Sequence, residues 1–416
     1  MGRWFNTEGP CVQAKHYMIL PSARLPEVPG LVARDRYFVV HAPRQSGKTT
    51  ALQALAAELT ASGRYAAVVL SMEAGRAWGD DLGAATRAIL DNARSAARAN
   101  LPAELHPPPW PEASDGAILG RAFGAWSWAC PRPLVLFLDE IDALEGRTLI
   151  SVLSQLRDGF RLRPADFPAS VALCGLRDVR DYKAASGGDA TRLRSGSPFN
   201  IKKSLRLNDF TLDEVRELYG QHTTDTGQVF TPEAVAYAWE LTRGQPWLVN
   251  AVAAEIVDTM GVPALTPVTA EHIDQAAERI IVARETHIDS LVDKLREPAV
   301  RRVIEPLLAG KTVNFAPFSD DLLYTIDLGL IRQTGAEVEV ANPIYRNVIT
   351  RVLADSMFAG IPDQPGPRSA PTADPPYSAR PSSSRPTAPA TPTRPTRPSS
   401  SSTLTFRASA FPPDTW

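Results

Sequence analysis

Between Ala42 and Thr50 the chain reads Ala-Pro-Arg-Gln-Ser-Gly-Lys-Thr-Thr, directly after the apolar run Tyr37-Phe38-Val39-Val40. A strand, a loop closing on Gly-Lys-Thr and a helix form the pattern G-x-x-x-x-G-K-[ST]. Its backbone N–H groups point inward at phosphates, and the helix adds its positive N-terminal end. The pattern demands a strand with a helix packed on it, so it limits the fold to the α/β class. It predicts a phosphate cradle from Ala42, Pro43, Arg44, Gln45, Ser46, Gly47, Lys48, Thr49 and Thr50. Within it Lys48 reaches the β- and γ-phosphates and the Thr49 hydroxyl binds Mg²⁺. The first glycine of the pattern is replaced by Ala42. Alanine resists φ > 0 but fits most other backbone conformations, so the loop is still expected to form.

A second signal lies downstream. Pro133-Leu134-Val135-Leu136-Phe137-Leu138-Asp139-Glu140 is an apolar run ending in two carboxylates. Such a run reads as a parallel strand buried on both faces. The carboxylates then stand at its C-terminal end, where open α/β sheets bind ligands. Asp139 is expected to hold Mg²⁺ through water, and Glu140 to orient and deprotonate an attacking water. Phosphoryl transfer needs mainly positioning and charge neutralisation, which these groups and a metal supply. Asp142 reads as a helix N-cap rather than a metal ligand.

Together these stretches resemble the P-loop ATPases of the AAA+ and STAND groups, in particular bacterial AAA-like ATP-binding proteins. The resemblance also takes in Ala172-Leu173-Cys174-Gly175-Leu176-Arg177-Asp178-Val179-Arg180, Gly244-Gln245-Pro246-Trp247, and the opening Trp4-Phe5-Asn6-Thr7-Glu8-Gly9-Pro10 with His16-Tyr17-Met18. It covers roughly residues 1–355. It implies a P-loop parallel sheet with helices on both faces, ATP with Mg²⁺, and adenine in preference to guanine. It also implies Pro246 against the nucleotide base, Arg177 as a sensor of the γ-phosphate, and a trans-acting arginine at Arg192 or Arg194.

The coarse division follows composition and periodicity. Residues 1–30 carry Phe5, His16, Tyr17 and several prolines, and are expected to dock on the core or wrap the base. Residues 31–207 alternate strands and helices, with strands at Tyr37–His41, Ala66–Met72, Leu134–Leu138, Ser170–Cys174 and Ser204–Leu207. Helices are expected after the loop to about Ser62-Gly63, and over Trp78–Arg98, Ala113–Trp128 and Thr148–Phe160. Pro107-Pro108-Pro109-Trp110-Pro111 marks a surface loop. Residues 208–286 read as a helical lid, with capping signals at Thr211 and Glu214 and at Thr231-Pro232. Residues 287–357 read as a winged-helix-like module: helices at Pro298–Leu308 and Asp320–Leu328, a hairpin around Thr334-Gly335, and a closing helix from Pro343. From residue 358 a Pro/Ser/Thr-rich tail begins. Its Pro386, Pro389, Pro392, Pro395 and Pro398 repeat with the period of polyproline II, and it is expected to be disordered.

Charge and cysteine content narrow the partners. The formal net charge is −2, which supplies no global basic field for nucleic acid. The candidate recognition segment carries Asp320, Asp321 and Asp327, and the wing Glu337 and Glu339 against Arg332. Phosphate contact needs the opposite sign, so nucleic acid is an unfavoured partner and a protein, or a second copy bound on ATP, the favoured one. Three scattered cysteines suggest a reducing compartment and no disulfide framework. No apolar run spans a membrane, and the cytoplasm is the expected compartment. The sequence therefore points to a slow ATPase that works as a nucleotide-gated switch or assembly factor. The alternative is a DNA-binding initiator or transposition-type ATPase.

Overall fold

A computed structural model of the 416-residue chain describes residues 2–176, 201, 203–283 and 286–359. Met1 to Ile361 form one compact unit. Arg177, the Arg192 and Arg194 segment, and the Pro-rich tail lie outside the described residues.

Five parallel strands make the central sheet: β1 (Tyr37–His41), β2 (Ala66–Ser71), β3 (Leu134–Asp139), β4 (Ser170–Gly175) and β5 (Ser204–Arg206). Their order is β2-β3-β4-β1-β5. Every residue of β3 and β4 is buried, as the unbroken apolar runs require. Side chains alternate between two apolar layers. Tyr37, Val39, Leu134, Leu136, Leu138, Val171 and Leu173 face the helices Leu82–Asn100, Ile118–Ala129 and Gly146–Gly159. Phe38, Val40, Val135, Phe137 and Ala172 face helix Lys48–Ala61 through Leu52, Leu55 and Leu59. The order β3-β4-β1 sets the ends of β1 and β3 on either side of β4, so the loop after β1 and the acidic end of β3 share one edge.

Two expectations about this half are corrected. The helix read from Trp78 starts only at Leu82, where Asp81 caps it by accepting from Ala84 N at 3.0 Å. Residues Met72–Trp78 form a 3₁₀ turn instead, ended by Gly79 at φ 49°. Asp142 caps no helix. It sits in the 3₁₀ turn Ile141–Ala143, and its Oδ1 accepts from Leu176 N at 3.2 Å, tying the ends of β3 and β4 together.

The helical half is built from Leu212–Thr226, Pro232–Thr242, Pro246–Ala254 and Ala270–Ala283. Thr211 and Glu214 form a complete capping box, and Thr231 caps the helix that Pro232 opens. Helices Thr286–Lys294, Pro298–Leu308, Asp320–Asp327 and Pro343–Ala359 follow, with strands β6 (Val313–Asn314), β7 (Ile331–Thr334) and β8 (Glu337–Val340) in an antiparallel sheet ordered β6-β8-β7. Among the described residues no separate core divides residues 208–286 from those after 287. One apolar cluster runs from Phe210 and Val215 through Val252, Ile280 and Ile288 to Ile304, Val340 and Ile349. The N-terminal segment joins the same cluster. Phe5, Tyr17 and Ile19 pack there, with Phe5 against Tyr17, Tyr219, His222 and Phe230. Of the following residues, Leu25, Val28 and Val32 turn to the sheet. The segment thus docks chiefly on the helical half, because its aromatic side chains find an apolar wall there.

Among the described residues no helix is long and apolar enough to cross a membrane.

Candidate nucleotide site

The loop after β1 turns on two left-handed residues, Gln45 (φ 56°) and Gly47 (φ 83°). Ala42 is not one of them. It is buried, and its N–H donates to Gly175 O across the β1–β4 pair at 3.3 Å. The pattern's first glycine is thus dispensable here, whereas Gly47 satisfies a left-handed φ that side chains resist. Ser46 Oγ donates to Pro43 O at 2.8 Å and braces the turn. Among the described residues no protein acceptor takes the backbone N–H groups of Arg44 to Thr49. Free backbone donors beside a helix N-terminus seek an acceptor, and a phosphate fits there.

Lys48 Nζ folds back on the loop, donating to Ala42 O at 2.6 Å and Pro43 O at 2.9 Å. Burial pushes its pKa down, while Asp139 and Asp142 partly hold it up. Two carbonyls are poor compensation for an enclosed ammonium, which leaves the group primed for an anion. Thr49 Oγ1 donates to Asp139 Oδ2 at 2.6 Å, so the loop and the acidic strand end meet across 90 residues of chain. Asp139 is buried, and its Oδ1 accepts from Glu140 N at 3.0 Å. Glu140 itself is held in the left-handed region at φ 57°. Burial raises its pKa most; Ser71 Oγ, donating to Oε2 at 2.8 Å, opposes that, and the carboxylates of Glu73 and Asp139 add to it.

Ser71 has no signal in the sequence as a lone serine after an apolar run. It becomes visible only once the register pairs it with Asp139. Thr50, read as part of the cradle, has its Oγ1 engaged as acceptor for Cys11 N at 3.0 Å, so the N-terminal segment closes over the helix start.

The helical half supplies the other wall. Arg243 and Gly244 are both left-handed, at φ 50° and 78°. A Cβ on Gly244 would stand 1.8 Å from Phe210 O, so only glycine fits. Gln245 then caps the helix that Pro246 opens, its Oε1 accepting from Leu248 N at 2.6 Å. Its Nε2 reaches Gln45 O of the loop at 3.4 Å, a contact the sequence does not announce. Trp247 Nε1 donates to Thr7 O at 2.9 Å, and its ring lies 4.7 Å from that of His287. Gly329 touches the loop as well, since a Cβ there would meet Pro43 Cγ at 2.7 Å.

Between these walls lies a cleft of about 800 Å³. Lys48, Thr49, Asp139 and Glu140 line one side, and Pro246, Trp247 and Asn250 another. Asn250 Nδ2 donates to Pro246 O at 2.8 Å, which fixes the amide, and its buried Oδ1 has no partner among the described residues. The volume suits a small ligand, and the set of unpaired loop donors, enclosed ammonium and orphan amide oxygen suits a nucleoside triphosphate. No group of three or more His, Cys, Asp or Glu among the described residues could hold a metal alone. Thr49 with Asp139 fits Mg²⁺, which takes one or two protein oxygens and completes its shell with water and phosphate.

No family model matches the sequence, and no curated protein matches it. Solved structures do. The Walker-type ATPase of Pyrococcus abyssi is similar at a TM-score of 0.56 and 10% identity, over 83% of this chain and 99% of that one. The Thermotoga maritima RuvB Holliday junction branch migration motor scores 0.41 at 15% identity, over 79% of this chain and 93% of that one. Cdc6p from Pyrobaculum aerophilum scores 0.42 at 13% identity, over 81% and 95%. The α/β fold expected from the loop is present, and the chain has the fold of a Walker-type P-loop ATPase.

Proposed function

We propose that this protein binds ATP with Mg²⁺ in the cleft, hydrolyses it slowly, and uses the nucleotide to gate an assembly. The observation that carries this reading is the 2.6 Å contact between Thr49 and Asp139, which brings the lysine loop and the acidic pair to one point. Lys48 leaves its two carbonyls for the β- and γ-phosphates, and the free N–H groups of the loop take the remaining oxygens. Bound Mg²⁺ supplies charge neutralisation on those phosphates. Glu140, released from Ser71, orients the attacking water and takes its proton. Pro246 packs on the adenine, and Arg177 senses the γ-phosphate. Arg192 or Arg194 acts in trans in an assembled form.

The output of such a site is a change of partner. Gln245 on Gln45 and Gly329 on Pro43 link the loop to both parts of the helical half, so a shift of the loop on binding is felt by both. The C-terminal elements read as a winged-helix-like module for protein contact. Two of their arginines are paired with carboxylates, Arg302 with Asp321 at 2.7 Å and Arg332 with Glu339 at 2.6 Å. A cation neutralised in this way contributes less to phosphate contact.

The reading is tested by light scattering after size exclusion, in ADP and in a slowly hydrolysed ATP analogue. A higher mass with the analogue supports it, and equal masses contradict the gated assembly. A DNA-binding titration at two salt concentrations, with and without ATP, tests the second reading. Tight, salt-sensitive binding would favour a DNA-binding initiator or transposition-type ATPase instead.

A further inference from the structure

The cleft contains a cation that neither the loop nor the acidic pair accounts for. Besides Lys48, its lining includes Arg24, Arg44, Arg76 and Lys294. Arg44 is exposed. Arg76 pairs with Glu73 at 3.5 Å, and Lys294 with Glu297 at 2.7 Å. Arg24 is partly buried and, among the described residues, forms no ion pair with a carboxylate. Its guanidinium lies 4.6 Å from the centre of the Phe210 ring. Nη1 donates to Ser46 O in the loop at 3.4 Å, and Nη2 donates to Asn208 O. The nearest neighbour to a Cβ built on Gly47 is again Arg24 Nη1, at 3.4 Å. Burial pushes its pKa down, and Glu214 and Asp209 offset that only in part and from a distance. Glu214 is already engaged, accepting from Thr211 N at 2.7 Å.

A half-buried guanidinium with no carboxylate in ion-pair contact among the described residues carries a desolvation cost. Two carbonyls and a ring face offset part of that cost, and an anionic ligand would offset the rest. The fork geometry of arginine suits phosphate oxygens, and its five donors allow one contact to be exchanged while another is kept. We infer that Arg24 is a phosphate-binding residue of this cleft, contributed by the N-terminal segment, and that it links the bound phosphates to the Asn208–Phe210 start of the helical half. The inference rests on the ATP reading above and adds a residue to it. Arg24 touches three places at once: the loop through Ser46, the stretch after β5 through Asn208, and the helical core through Phe210. A phosphate that draws the guanidinium from Asn208 O loosens the junction between the halves.

The test compares binding of MgATP and of adenosine, by competition against a fluorescent ATP analogue, for the unaltered chain and for Arg24→Gln and Arg24→Lys. The expected result is a loss of about 10–100-fold in MgATP affinity for Arg24→Gln, with adenosine changed by less than about 3-fold. Arg24→Lys, which keeps the charge but not the fork, falls between. A merely structural role would weaken both ligands by the same factor, and that result overturns the inference, as does unchanged MgATP affinity. If Arg24→Gln does not fold, Arg24→Met keeps the stem on Phe210 and is read by the same ratio. Failure of the unaltered chain to bind MgATP would bring down the ATP reading itself, a different outcome from a variant that binds normally.

Discussion

The sheet half and the helical half of this molecule obey different rules. In the sheet half function is local: the loop follows β1 at once, the carboxylates end β3, and each motif is a short unbroken string. In the helical half the groups that line the cleft come from distant places, Phe210, Trp247, Asn250 and His287 among them. One half carries the chemistry in its sequence. The other encloses that chemistry, and only its packing shows which residues meet. The contrast teaches that this cleft is legible on the side of the glycine-lysine loop and obscure on the side of the helical half.

The largest effects should arise where the two halves are most unequal. Lys48→Ala should reduce MgATP affinity by at least about 100-fold, read by calorimetry, since it removes the charge aimed at the phosphates. It should leave the melting temperature nearly unchanged or raised, because the enclosed ammonium is supported by only two carbonyls. Glu140→Gln should leave MgATP affinity within about 3-fold and slow turnover by about 10²–10³-fold, measured as phosphate release. Full turnover in that variant would remove Glu140 from the mechanism.

The single core of the helical half gives the next prediction. Ile280→Ala and Ile349→Ala lie on opposite sides of residue 287, and both positions are fully buried. Each should cost about 2–4 kcal/mol and lower the same unfolding transition. Two separate transitions, each moved by one variant only, would show two independent modules.

His287 sharpens the comparison through pH. Burial lowers its pKa to about 4, beside Trp247 and with a ring nitrogen 2.6 Å from the Tyr345 hydroxyl. The unfolded chain takes up the proton first, so stability from this group is full above about pH 6.5 and is lost as pH falls towards 4. The loss should be on the order of 1–3 kcal/mol, and His287→Gln should flatten that part of the stability profile. The smallest effect is expected on the surface. Arg332→Gln breaks a half-exposed pair with Glu339 and should cost no more than about 1 kcal/mol, diminishing in high salt.

These contrasts also explain what the sequence could reveal. Strands β1 to β4 were readable because each is an apolar run bounded by turn residues, and burial on both faces leaves little else such a run can be; β5, Ser204–Arg206, is short and carries an exposed Arg206. Lys48, Thr49 and Asp139 were readable because a phosphate loop and an acidic strand end have fixed spacing. Ser71 was not, since its meaning depends on the β2–β3 register. Gln245 sits inside a readable helix break, yet its reach to Gln45 depends on how two halves pack. The same reason hid the continuity of the core across residue 287, because amphipathic helices show which face is buried but not against what. Asp142 misled because an acidic residue before a helix looks like a cap whether or not its carboxylate turns to another strand.

Calorimetric titration of the full chain with MgATP, beside Thr49→Ala and Lys48→Ala, tests the central claim most directly. The account predicts one site per chain in the unaltered protein, and loss of most of the affinity in both variants. A titration with no heat of binding, or variants that bind as the unaltered chain does, would contradict it.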